Sequence, residues 1–117
     1  MDYKLKLSPE EIKYFWAYLE NSLKGFHLNI SDLAYYNLLK LIHKLSKKVC
    51  DIRYFTKANK HYLINVTPNE YEAIIHIFAL DKRHDIYMKR LSNDIVRQLD
   101  MQQQNFKPQL NLSLWNH

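Results

Sequence analysis

Tyr3-Lys4-Leu5-Lys6-Leu7-Ser8-Pro9-Glu10-Glu11 returns as Tyr62-Leu63-Ile64-Asn65-Val66-Thr67-Pro68-Asn69-Glu70, with Ser8 matching Thr67 at an offset of 59 residues. Each copy places apolar residues at alternate positions, with polar residues between them except at Leu63, then a hydroxyl, a proline and, three residues after the hydroxyl, a glutamate. The alternation is the period of a half-buried strand. The hydroxyl can accept the backbone N–H three residues on, and the glutamate can reach back to the cap's own N–H. Proline at the first helical position gives up only an N–H that would lack an intrahelical partner in any case. Each copy therefore predicts a short strand running directly into a capped helix.

Working outward from these two starts, strands are expected over 3–7 and 62–66. The first helix runs from about Pro9 to Lys24, its apolar stripe formed by Ile12, Phe15, Trp16, Leu19 and Leu23. Gly25, the single glycine, stands where a left-handed residue can end that helix, followed by Phe26. After a connection over 26–31, Ser31 or Asp32 can cap a second helix. Its stripe is Ala34, Leu38, Leu41, Ile42, Leu45 and Val49, extending to Ile52 if the helix continues. A strand starting at Ile52-Arg53-Tyr54 is the alternative, and a helix end near 50–57 is favoured. A third helix follows Thr67 with Tyr71, Ile74, Ile75 and Phe78 inward. A fourth runs from about Asp85 to Gln104 on Tyr87, Leu91, Ile95 and Leu99. Pro108 is expected to stop it, and the alternating stretch from Gln109 to Trp115 reads as a third strand. The sum is a predominantly α-helical α+β fold of four helices and a small sheet. Two tandem βαα units, 1–59 and 60–105, form one compact domain, and 106–117 form a C-terminal tail.

Apolar residues at 47% and charged residues at 25% are those of a globular chain able to bury a core. Lys, His or Asn interrupts every apolar run before it reaches membrane-spanning length. The start Met-Asp-Tyr-Lys-Leu-Lys lacks the layout of a signal peptide, so a cytoplasmic protein is expected, or one within a virion if phage-derived. Lys-, Asn-, Ile- and Tyr-rich usage suggests an AT-rich genome, bacterial or phage. Three glycosylation-like triplets, beginning at Asn29, Asn65 and Asn111, carry no weight in that setting, and Thr67 already serves as a cap.

Catalytic machinery is hard to assemble from this chain. One glycine, assigned to a helix end, leaves nothing for a phosphate loop or nucleophile elbow, which need close backbone approach. The histidines (His27, His43, His61, His76, His84, His117) form no paired metal-binding motif, and Cys50 is alone, without an identifiable partner base. Glu11 and Glu70 are accounted for by capping, and Glu10 and Glu72 complement the positive helix ends. The expectation is a non-enzymatic protein with no catalytic residues, no metal, no cofactor and no small-molecule ligand.

Two surfaces remain. The net charge of +5 lies wholly within 31–60, where Lys40, Lys44, Lys47, Lys48, Arg53, Lys57 and Lys60 face only Asp32 and Asp51. Tyr35, Tyr36 and Tyr54 beside them offer rings able to stack on bases. Lysines opposite an apolar stripe also describe any solvated helix face. The tail offers Leu110, Leu112, Leu114 and Trp115 as an interaction segment, able to dock on its own sheet or on another chain. The leading expectation is a protein–protein interaction or assembly module, a small accessory or structural protein of a phage or mobile element, with self-association or a protein partner. The alternative is a nucleic-acid-binding module using the basic stretch at 40–60.

Overall fold

The computed structural model describes residues 2–26, 30–55, 61–80 and 85–115, with side chains over 2–24, 30–51, 61–80 and 85–104. The element order is β1 (Tyr3–Leu7), α1 (Pro9–Phe26), α2 (Asp32–Phe55), β2 (Tyr62–Val66), α3 (Pro68–Leu80) and α4 (Ile86–Trp115). It is the expected predominantly α-helical α+β fold.

β1 and β2 pair antiparallel, with Tyr3 opposite Val66, Leu5 opposite Ile64 and Leu7 opposite Tyr62. The side-chain period of two sends Tyr3, Leu5, Leu7, Ile64 and Val66 into the core, and leaves Lys4, Lys6, Leu63 and Asn65 facing outward. A two-stranded sheet is marginal by itself. Stability comes from helices packed on its inner face, each fully buried leucine or isoleucine contributing about 1.5–3 kcal/mol.

Both capping boxes form. The Ser8 N–H donates to Glu11 Oε1 at 2.8 Å and the Glu11 N–H to Ser8 Oγ at 3.2 Å. The Thr67 N–H donates to Glu70 Oε1 at 2.9 Å and the Glu70 N–H to Thr67 Oγ1 at 3.1 Å. The second helix of each unit is capped more simply. Ser31 Oγ accepts the Ala34 N–H at 3.1 Å, and Asp85 Oδ1 accepts the Met88 N–H at 2.7 Å.

The repeat extends beyond the caps. Asn37, Leu38, Leu41 and Leu45 are buried on α2, and Leu91, Ser92, Ile95 and Leu99 are buried at the corresponding places on α4, 54 residues later. The two buried polar residues among them are satisfied by their own helices. Asn37 Nδ2 donates to the Leu33 carbonyl at 2.8 Å, and Ser92 Oγ donates to the Lys89 carbonyl at 3.0 Å. The units interlock rather than sit side by side: α2 packs on α3, and α4 lies along β1. Across this seam the Tyr14 hydroxyl donates to Asp85 Oδ2; within the second unit the Tyr71 hydroxyl donates to Asp100 Oδ1 at 2.6 Å. Burial, with that bond to Asp100, pushes the Tyr71 phenol well above its usual range.

Three expectations are corrected. Gly25 does not end the first helix in a left-handed conformation, since α1 continues through it to Phe26 and the glycine has no positive φ. A glycine inside a helix costs about 1 kcal/mol relative to alanine, which weakens a helix without forbidding it. Pro108 does not stop the fourth helix, which runs to Trp115; a proline removes one hydrogen bond and strains one turn. The third strand over 109–115 is therefore absent, and the sheet has two strands. An added strand would also find the free edge of β1 already occupied, because α4 sits on it.

Candidate functional site

The edge of β1 is closed by two side chains one turn apart on α4. Gln98 Oε1 accepts the Lys6 N–H at 2.8 Å while its Nε2 donates to the Lys6 carbonyl at 2.9 Å. Gln102 does the same for Lys4, at 2.7 and 2.6 Å. Each primary amide replaces the peptide group of a missing neighbouring strand, and the i, i+4 spacing of the helix matches alternate residues of β1.

The other edge is treated differently. With Lys4 and Lys6 turned toward α4, antiparallel geometry turns the backbone groups of their partners, Asn65 and Leu63, away from β1. The helix there is α2, and the residues at the places of Gln98 and Gln102, 54 positions earlier, are Lys44 and Lys48. Lys44 Nζ donates to the Asn65 carbonyl at 3.0 Å and to Glu70 Oε1 at 2.6 Å. Lys48 Nζ lies 5.9 Å from the centroid of the Tyr62 ring. A lysine can donate to an edge carbonyl but cannot accept from an edge N–H.

This geometry divides the sequence-predicted patch. Lys44 is the partner of a carboxylate with 0% exposure, so it is a structural cation. Lys40 lies with Nζ 5.6 Å from the Tyr36 ring centroid, and Lys47 projects into solvent. Arg53 is on α2 with its side chain outside the described residues, and Lys57 and Lys60 lie outside them altogether. Of the tyrosines proposed to stack, Tyr36 is exposed, Tyr35 is half-buried and the Tyr54 side chain is not among those described. Leu110, Leu112, Leu114 and Trp115 belong to α4 by backbone, and their side chains lie outside the described residues.

Two lysines missed by the sequence reading join the patch. Lys4 Nζ donates to Asn65 Oδ1, while Lys44 reaches the carbonyl of the same asparagine. The strand lysines and the α2 row therefore meet at Asn65. The charge count concealed this, because residues 1–30 sum to zero. The fold separates most of what the sum cancels: Glu10, Glu11 and Glu20 ride on α1, Lys4 and Lys6 point out from the sheet, and Asp2 alone of the four acids stays beside them.

A second feature lies along α1 and α2. A groove of about 450 Å³ is lined by Glu20, Leu23, Lys24, Tyr35, Leu39 and Ile42. Leu39 within it is 44% exposed; Tyr36, at 60%, faces solvent, and Leu33, at 64%, lines a separate hollow between α2 and α3 with Asn37, Ala73 and His76. The sequence stripe for α2 omits all three, since it records only which face enters the core.

Among the described residues no group of three His, Cys, Asp or Glu side chains is placed to hold a metal ion, and no helix is long and apolar enough to cross a membrane. Cys50 is exposed on α2, not a buried structural cysteine. The Tyr14 phenol is raised above its usual range by its bond to Asp85, which makes it a poorer proton donor. No protein-family model, no curated protein and no solved structure matches this chain.

Proposed function

We propose that this protein is a non-enzymatic assembly module that pairs with a second copy of itself through the α1–α2 groove. The observation that carries this reading is an apolar groove lined by Leu23, Tyr35, Leu39 and Ile42, in which Leu39 is 44% exposed. Large exposed apolar side chains gathered at a groove are the usual mark of a protein interface. The rim favours a copy over an unrelated partner, because Glu20 and Lys24 stand one turn apart on α1 with opposite charge. A twofold axis through the groove would set Glu20 of each copy against Lys24 of the other, as an isologous interface requires.

Sedimentation over a wide concentration series tests this. The parent chain is expected to pass from monomer to dimer, and Leu39→Glu to remain monomeric with an unchanged helical signal. Lys24→Glu should weaken the dimer, and Lys24→Glu combined with Glu20→Lys should restore it. A parent that stays monomeric throughout would refute self-assembly. A Leu39→Glu protein that still dimerises would refute the groove.

A further inference from the structure

The outward face of the sheet is unusually simple in its chemistry. Of its four residues, Lys4 and Lys6 are cationic, Asn65 is a neutral amide and Leu63 is the single apolar group. Lys4 and Lys6 stand about 6.8 Å apart, two residues along one strand. Asn65 links them to α2, accepting from Lys4 Nζ through its side chain and from Lys44 Nζ through its carbonyl. Lys40 precedes Lys44 by one turn, and Lys47 and Lys48 follow it by one turn.

Nearby acids offset only part of this charge. Glu70 is buried and bound to Lys44, Asp94 is bound to Arg97 and Gln98, and the exposed carboxylates are Asp2, two residues before Lys4, and Asp51, one turn beyond Lys47 and Lys48. Two lines of ammonium groups in excess over these acids, one on a strand and one on a helix, therefore converge on one asparagine.

We propose that the outward sheet face and the adjoining flank of α2 bind the phosphate backbone of a nucleic acid, with Lys4, Lys6, Lys47 and Lys48 as the contacting cations. Two extended rows suit a linear polyanion better than a single small anion. Lysines act as point charges that hold phosphate without reading base edges, so binding is largely independent of sequence. An anionic membrane is the poorer fit, since interfacial binding needs an apolar face to enter the lipid and this face offers only Leu63. This surface is separate from the α1–α2 groove, so the two can be occupied together. Lys44 is left out of the contacting set because its charge is already committed to Glu70.

The test is a fluorescence anisotropy titration of the full chain with mixed-sequence single-stranded and duplex DNA, repeated over a salt series. The parent should bind with a logarithmic affinity that falls linearly with log salt. Lys4→Glu with Lys6→Glu should weaken binding more than tenfold at low salt and flatten the duplex slope by about 1.8, from about 0.9 per lost phosphate contact. Lys13→Glu with Lys89→Glu changes net charge equally on other exposed positions and should leave the slope near that of the parent. Lys47→Glu provides the same readout from α2, should the strand variant fail to fold. Equal losses in the strand and control variants would reduce the effect to net charge and overturn the site. So would a parent that ignores DNA at the lowest salt, or one that binds phosphatidylserine vesicles in preference to DNA.

Discussion

Lys44 and Glu70 show how one substitution within a repeat changes what a residue must do. Glu11 and Glu70 occupy the same place in their capping boxes, each accepting the cap residue's N–H. Glu11 is half-buried and water can solvate its charge, whereas Glu70 is fully enclosed and one of its oxygens, Oε2, is buried with no partner among the described residues. A carboxylate in that position requires a cation, and Lys44 supplies it at 2.6 Å. Lys44 is itself about one-third exposed, so the pair is less isolated than a fully buried one. Lys44→Met should nonetheless cost about 2–3 kcal/mol, because it leaves a buried charge unmatched. Lys47→Met, one turn away in solvent, should stay within about 0.5 kcal/mol of the parent. Urea unfolding of both, with Glu70→Gln added to the Lys44 variant, gives the coupling directly. If Lys44→Met proves as stable as Lys47→Met, the lysine is not the carboxylate's stabilising partner.

At the scale of elements, α4 and α2 flank opposite edges of one sheet with different chemistry. Gln98 and Gln102 both donate and accept, so the β1 edge is closed to another strand; Lys44 and Lys48 only donate. Gln98→Ala with Gln102→Ala should therefore cost about 2 kcal/mol, at roughly 1 kcal/mol for each amide's contribution. It should also speed amide hydrogen exchange at Lys4 and Lys6 while leaving Leu5 protected by β2. Unchanged exchange at Lys4 and Lys6 would mean that the glutamines merely rest on the edge. None of this could be seen in the sequence, where two glutamines four apart look like any solvated helix face. What was legible depended on local periodicity: the strands, the four helix starts and the stripe of α1 follow from spacing and capping alone, whereas on α3 the expected stripe held Tyr71 and Ile74 but missed the buried Ala73 and Ile77. The stretch 109–115 was misread for the same reason. Its alternation fits a strand, but a strand needs a vacant edge, and edge occupancy is a long-range property. The basic surface was half legible, since the α2 lysines formed a visible run while Lys4 and Lys6 were hidden by acids, three of which (Glu10, Glu11 and Glu20) the fold carries away on α1.

For the molecule as a whole, the interlocking of the two βαα units makes each a poor candidate for independent folding. Among the described residues β1 has no strand partner except β2, α2 finds much of its packing surface on α3, and the glutamines that finish β1 come from α4. A unit alone would keep its capped helices but leave Leu5, Leu7, Leu41 and Leu45 facing water. Short isolated helices are marginal in water, so caps alone do not hold them. Chains 1–57 and 58–117, prepared separately, should each show reduced helicity and no cooperative melt. Mixed in equal amounts they should recover the far-ultraviolet signal and the melting transition of the intact chain. The midpoint of the mixture should rise with concentration, because a covalent connection supplies an effective concentration of order millimolar that free halves at micromolar levels lack. A half that melts cooperatively by itself would show that its core is self-sufficient and that the repeat is two small domains in contact. Failure of the mixture to recover, with both halves soluble, would place an indispensable constraint in the connection rather than in the packing.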